Sequence, residues 1–183
     1  AFYASVELRE RPELIGTPVI IGSTGGRGVV LSATYEARAL GVHAAMPMST
    51  ATRIAPHATV ISPHHDKYSQ VSDGVMEIFR DITPEVEPLS LDEAFLDVQG
   101  ALRRLGTPLE IAHIIRTRVS QEQGITCSVG IASTKFVAKL ASTAIKVILI
   151  IIFESITTIN IIILLFHHLF LLLHHRFHRW WRW

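Results

Sequence analysis

The sequence has one cysteine among 183 residues, so no disulfide can close within the chain, and Cys127 itself sits in an apolar run, 126–131. A reducing compartment, the cytoplasm, is the expectation. No charge of either sign dominates: seventeen Lys and Arg stand against sixteen Asp and Glu, for a formal net charge of +1. There is no internal repeat, and no linker long enough to split residues 1–146. The glycine-rich stretch 22–28 lacks the Gly-Lys-Ser/Thr ending of a phosphate loop, and a hairpin turn explains it better. His43, His57, His64, His65 and His113 have no metal-ligand spacing and no Cys-x-x-Cys beside them, so they read as surface or core histidines.

The largest absence is local. Residues 147–183 contain no Gly, Pro, Ala, Lys or Asp, yet hold all three Trp and five of the ten His. Their only acid is Glu154; with Arg176, Arg179 and Arg182 they carry +2, leaving −1 for residues 1–146. The mean hydropathy of +0.35 and the small positive charge are therefore averages over two unlike pieces. The chain divides into a body, 1–146, and an apolar low-complexity tail, 147–183.

Within the body, short apolar runs around 18–21 and 29–31 predict a β-hairpin. Residues 35–40, closed by Gly41, and 49–54, ahead of Pro56, predict short helices. Tyr68, Val71, Val75, Ile78 and Phe79 recur at helical spacing across 65–80, and Ile111, Ile114, Ile115 and Val119 do so across 109–123, which Gly124 closes. Residues 86–98 are β-like with a break at 90–93; a strand over 126–131 and a helix over 134–144 follow. Strands alternating with long helices predict an α+β or α/β layer in which helices cover a sheet.

Two groups of residues could carry chemistry. Ser90-Leu91-Asp92-Glu93 places adjacent carboxylates at the end of an apolar strand, where a hard divalent cation such as Mg²⁺ would neutralise them. The same four residues also fit a helix capping box, Glu93 reaching back to Ser90. Tyr35 and Arg38, three apart on a predicted helix, share a face and could grip a phosphate; the alternative is Tyr35 in the core and Arg38 paired with a surface acid.

Four segments, in order, resemble the Y-family DNA polymerases, the translesion enzymes. Ala1-Phe2-Tyr3-Ala4-Ser5-Val6-Glu7 is similar to the stretch after that family's first catalytic aspartate. Val30-Leu31-Ser32-Ala33-Thr34-Tyr35-Glu36-Ala37-Arg38, continued by Gly41-Val42 and Met46-Pro47-Met48, resembles its fingers motif. Ser90-Leu91-Asp92-Glu93-Ala94-Phe95-Leu96-Asp97-Val98 resembles its palm motif, and Ser128-Val129-Gly130-Ile131-Ala132 with Lys135-Phe136 and Ala138-Lys139 the motif that follows. Four motifs in order make a specific signal, and against it the capping box at Ser90 gives way.

The resemblance implies an α+β fold, a ferredoxin-like polymerase palm with a small fingers subdomain. It implies a DNA-directed DNA polymerase that transfers nucleotides past damaged bases, with primer-template DNA and deoxynucleoside triphosphates as partners. Asp92 and Glu93 would be catalytic and would ligate two Mg²⁺ ions that clamp the attacking and leaving oxygens. Tyr35, Arg38, Ser32, Lys146 and Phe2 would contact the nucleotide, and Tyr3 would be the steric gate against a ribose 2′-hydroxyl. It also implies an aspartate-bearing central strand ahead of Ala1, a Pro and Gly turn after Lys146, a thumb, and a C-terminal DNA-gripping domain with a sliding-clamp peptide. None of these is in the sequence, so the expectation is an incomplete, inactive palm-fingers fragment. Missing Lys and Arg would explain the near-neutral charge.

The tail admits three readings: a membrane span, since residues 147–166 are long and apolar enough; a buried core segment; or translation past a frameshift or junction. Its low complexity, beginning where the resemblance stops, favours the third, and a membrane partner is not expected.

Overall fold

The computed structural model describes residues 1–23, 25, 28–143 and 149–153. Helix α1 (Phe2–Glu10) leads into β1 (Val19–Gly22) and β2 (Val30–Ala33), then α2 (Tyr35–Ala39), α3 (Met48–Ile54), β3 (Thr59–Ile61) and the long α4 (His65–Ile82). Strands β4 (Val86–Ser90) and β5 (Glu93–Asp97) follow, then α5 (Leu102–Leu105), α6 (Pro108–Gln123), β6 (Ser128–Ala132), α7 (Lys135–Thr143) and β7 (Leu149–Phe153).

These strands make two sheets. In the smaller, ordered β2-β1-β3, the expected hairpin pairs Ile20 with Ala33 and Ile21 with Ser32, and β3 joins β1 in parallel. Ile20, Val30, Ala37, Val42, Met48 and Ala51 form its own small core. The larger sheet is ordered β4-β5-β7-β6. Strands β5 and β6 run parallel, joined across α6, and stand one strand apart. Strand β7 fills that place, pairing Ile151 with Phe95 on one side and Gly130 on the other, parallel to both. The central position that the resemblance gives to a strand ahead of Ala1 is thus occupied by Leu149–Phe153. The rest of 147–183 lies outside the described residues, and the readings of the tail lie with it. Among the described residues, no helix is long and apolar enough to cross a membrane.

Burial explains the two long helices. Helix α4 buries Tyr68, Val71, Val75, Ile78, Phe79 and Ile82, and α6 buries Ile111, Ile115 and Val119; they pack against each other. Strand β5 alternates, with Ala94 and Leu96 buried in this core and Glu93, Phe95 and Asp97 on the opposite face. Helix α1, which no periodicity announces, lies against β1, β2 and α4 and so contributes to a core that spans both units. The sixth strand begins at Ser128, two residues later than the apolar run.

Helix α6 starts with a complete capping box: the Glu110 N–H donates to Thr107 Oγ1 at 3.3 Å, and the Thr107 N–H donates to Glu110 Oε2 at 2.7 Å. Gly124 ends the helix in the left-handed region at φ 65°. Thr107→Ala should lower stability by about 1 kcal/mol in a denaturant titration.

Candidate functional site

The Ser-x-x-Glu pattern at Ser90 makes a β-hairpin, not a helix start. Ser90 pairs directly with Glu93 across a turn at Leu91 and Asp92, and the register shifts between Pro88 and Ser90. A bulge at that point re-aims the side chains beyond it. The Ser90 hydroxyl donates to Asp92 Oδ1 at 2.9 Å, which orients the first carboxylate at the hairpin tip. Asp92 and Glu93 are both half-buried, so water and solutes reach them.

The other face of the sheet is covered by α7, whose cations meet acidic side chains there. Lys139 pairs with Glu93 Oε2, and Lys135 pairs with Glu87 while its Nζ stands 5.3 Å from the centre of the Phe95 ring. This is possible because α7 lies very close to β6. A side-chain carbon at Gly130 would sit 2.8 Å from the Ser142 nitrogen and closer still to the Ala138 carbonyl oxygen. A glycine at that position lets the helix backbone approach the strand, and the approach puts Lys139 within reach of Glu93.

The expected phosphate pair is on the smaller unit. Thr34 caps α2, its hydroxyl accepting from the Ala37 N–H at 3.4 Å, and fixes the turn that presents Tyr35 and Arg38. Tyr35 is 54% exposed, so the core alternative for it does not hold. Arg38 donates Nε to the Ala33 carbonyl at 3.0 Å, and its guanidinium carbon lies 5.9 Å from the centre of the Tyr35 ring. That anchoring fixes the plane of the guanidinium beside the phenol, in contrast to the alternative in which it pairs with a surface acid. Ser32 is buried in β2, immediately ahead of this turn.

Phe2 and Tyr3 open α1. Phe2 is buried in the main core, its ring tilted against Tyr3 at 5.7 Å and edge-on to Tyr68 at 6.5 Å. Tyr3 is half-buried and stacks face to face on Tyr68, with centroids 4.3 Å apart and planes 15° apart. One turn along α1, Glu7 is buried, its side chain 1% exposed. Its Oε1 accepts from the Tyr68 hydroxyl and pairs with His64 Nδ1, each at 2.7 Å. Burial and the neighbouring Glu7 carboxylate push the Tyr68 phenol well above the ordinary tyrosine range, which keeps it protonated and donating. Glu7 stands in the first of the resembling segments, but no spacing in the sequence assigns it or His64 a role. The available signal was a carboxylate among apolar residues of α1, which lies one turn from Tyr3.

The structure therefore brings the expected residues together in three groups: Asp92 with Glu93, Tyr35 with Arg38 close to Ser32, and Tyr3 with Phe2. Lys146 lies outside the described residues. The two hairpin carboxylates offer hard oxygen donors, the chemistry that suits a divalent cation. Among the described residues, however, no group of three acidic, His or Cys side chains gathers to hold one, and Glu93 is already paired with Lys139. The residues present fit a cation as two of its ligands.

A mixed sheet backed by two long helices, with paired carboxylates on an edge hairpin and a smaller sheet presenting Tyr and Arg, makes this a mixed α/β protein of a larger and a smaller unit. The chain belongs to the impB/mucB/samB family, whose model matches residues 1–143. It is 50% identical over 143 residues to the DNA polymerase IV of Alkalilimnicola ehrlichii, covering 78% of this chain and 40% of that protein. Against the DNA polymerase IV of Desulfatibacillum aliphaticivorans the identity is 51% over 146 residues, 80% of this chain and 37% of the relative. Among solved structures, DinB from Sulfolobus solfataricus superposes with a TM-score of 0.76 at 33% identity, covering 82% of this chain and 46% of that one. The insertion ternary complex of Dbh DNA polymerase gives 0.75 at 30% identity, covering 84% and 46%. The chain thus spans less than half the length of these relatives.

Proposed function

We propose that this chain forms the palm and fingers of a DNA-directed DNA polymerase of the translesion type, a nucleotidyltransferase acting on a primer-template in the cytoplasm. The observation that carries this reading is the β4–β5 hairpin, which presents Asp92 and Glu93 side by side on a solvent-reached sheet edge. Two Mg²⁺ ions, when bound there, would lower the charge on the triphosphate and activate the primer hydroxyl. The chain's own residues do the positioning. Ser90 orients Asp92, Lys139 holds Glu93, and Arg38, kept in plane by the Ala33 carbonyl, offers its terminal nitrogens to phosphate oxygens with the Tyr35 hydroxyl beside it. Tyr3, braced by Tyr68, bounds the sugar pocket and disfavours a 2′-hydroxyl. Lys146 would add a further cation to the phosphates.

Titration of a deoxynucleoside triphosphate with Mg²⁺ into the chain tests this. Arg38→Ala should weaken binding about ten-fold or more, the worth of a charge-assisted phosphate contact. Equal affinity of the two proteins, both folded, would overturn the phosphate role of α2.

A further inference from the structure

We infer that Glu7 is a positioning residue that fixes the orientation of the Tyr3 ring, acting through the hydroxyl of Tyr68. The inference rests on the reading of Tyr3 as the steric gate, and adds a determinant of sugar selectivity buried beneath it. Glu7 and Tyr3 lie one turn apart on α1 and share a face. Opposite them, the start of α4 supplies His64, His65 and Tyr68, so that one helix crossing holds the whole arrangement.

Packing alone does not account for a carboxylate here. Its neighbours Ala4 and Val6 are buried and apolar, and an apolar side chain would fill the same place without desolvating a charge. Nor is the carboxylate fully satisfied. Oε1 has two partners, but Oε2 is buried without a hydrogen bond among the described residues, with Arg11 Nη1 3.6 Å away as an ion pair only. A buried carboxylate with one oxygen unmatched is a liability for stability. What it accomplishes is to tie down two groups of α4 at once.

The consequence reaches Tyr3 through geometry. Tyr68 is held by its backbone at one end and by the hydrogen bond to Glu7 at the other. Tyr3 lies flat on that ring, while Phe2 meets it tilted by 52° and His65 meets it edge-on. An aromatic contact is worth roughly 0.5–1.5 kcal/mol, too little to hold a half-buried ring in one orientation by itself. An anchored partner ring converts the weak stack into a fixed wall.

The chain has three tyrosines, so ring signals from tyrosine-labelled protein separate cleanly in NMR. In the native chain the Tyr3 and Tyr68 rings should show cross-relaxation, and dCTP with Mg²⁺ should bind more tightly than CTP. Glu7→Leu should remove the ring cross-peaks and lower the dCTP preference about ten-fold, through tighter CTP binding with dCTP affinity nearly unchanged. Tyr3→Ala should lower the preference equally, and the double variant no further. Should Glu7→Leu fail to fold, Glu7→Gln keeps the shape without the charge, and a loss of about three-fold is expected. If Tyr3→Ala lowers the preference while a folded Glu7 variant retains it, Glu7 does not position the gate and the inference falls. If Tyr3→Ala leaves the preference intact, the gate reading fails first and takes the inference with it.

Discussion

Tyr68→Ala should cost about 3–5 kcal/mol in a denaturant titration, a large share of what a domain of this size has. The side chain has no exposed surface and is among the largest that are fully buried. It touches Phe2 edge-on, lies flat on Tyr3 and closes the contact between α1 and α4. Removal leaves a cavity at the contact of the two helices and also takes away the hydrogen bond to Glu7. Tyr68→Phe separates the terms: the ring and its stacking remain, Glu7 loses a donor in a buried place, and about 1–3 kcal/mol should be lost. The pH dependence carries the same signature. The folded-state pKa of Tyr68 lies above its unfolded value, so its contribution is fully present below about pH 10 and declines as the pH rises further, the unfolded chain losing its proton first. Tyr68→Phe should flatten that alkaline decline. A Tyr68→Ala protein of unchanged midpoint would show that α1 does not depend on α4.

How much of this could be read from the chain follows from the range of the interactions. Helices α4 and α6 were legible because each buries one stripe, and the β4–β5 break was legible because two strands must turn between Ser90 and Glu93. The same Ser/Thr-x-x-Glu spelling occurs at Thr107, where it is a real capping box, and at Ser90, where it is a hairpin. Only the flanking patterns separate them: helical periodicity after Thr107, alternation around Ser90. Helix α1 was not announced, because it buries Phe2, Ala4, Val6 and Glu7 against neighbours on more than one side and has no capping side chain at Ala1. Strand β3 has three residues and exists through its parallel pairing with β1. At the site, the identities of Asp92, Glu93, Tyr35 and Arg38 came from local motifs. Their supports did not: Lys139 reaches Glu93 from 46 residues away, and His64 reaches Glu7 from 57. Leu149–Phe153 spelled an apolar run, and what makes it a strand is the gap between β5 and β6, which no local pattern records.

That sheet makes Gly130→Val the second large effect. Gly130 is buried on β6, which pairs through it with Ile151, and the atoms a new side chain would meet are the Ala138 carbonyl oxygen and the Ser142 nitrogen and Cβ of α7, none of which can rotate away. The helix must move off the sheet, and the expected loss is about 3 kcal/mol or more, at the upper end for an overpacked core. Gly100→Ala is the matched control, since a side-chain carbon there meets nothing within 4 Å, and it should shift stability by no more than about 0.5 kcal/mol. The displacement has a chemical reading as well as a thermal one. Lys139 and Lys135 ride on α7, so moving the helix separates Lys139 from Glu93 and Lys135 from Glu87 and leaves the acidic face of the hairpin without its nearest cations. If Asp92 and Glu93 hold a divalent cation as proposed, a Gly130→Val protein that still folds should bind Mn²⁺ more tightly than the native chain, because the Lys139 ammonium that competes with the metal for Glu93 is gone. Unchanged stability together with unchanged Mn²⁺ binding would mean that α7 does not rest on β6 as closely as Gly130 allows.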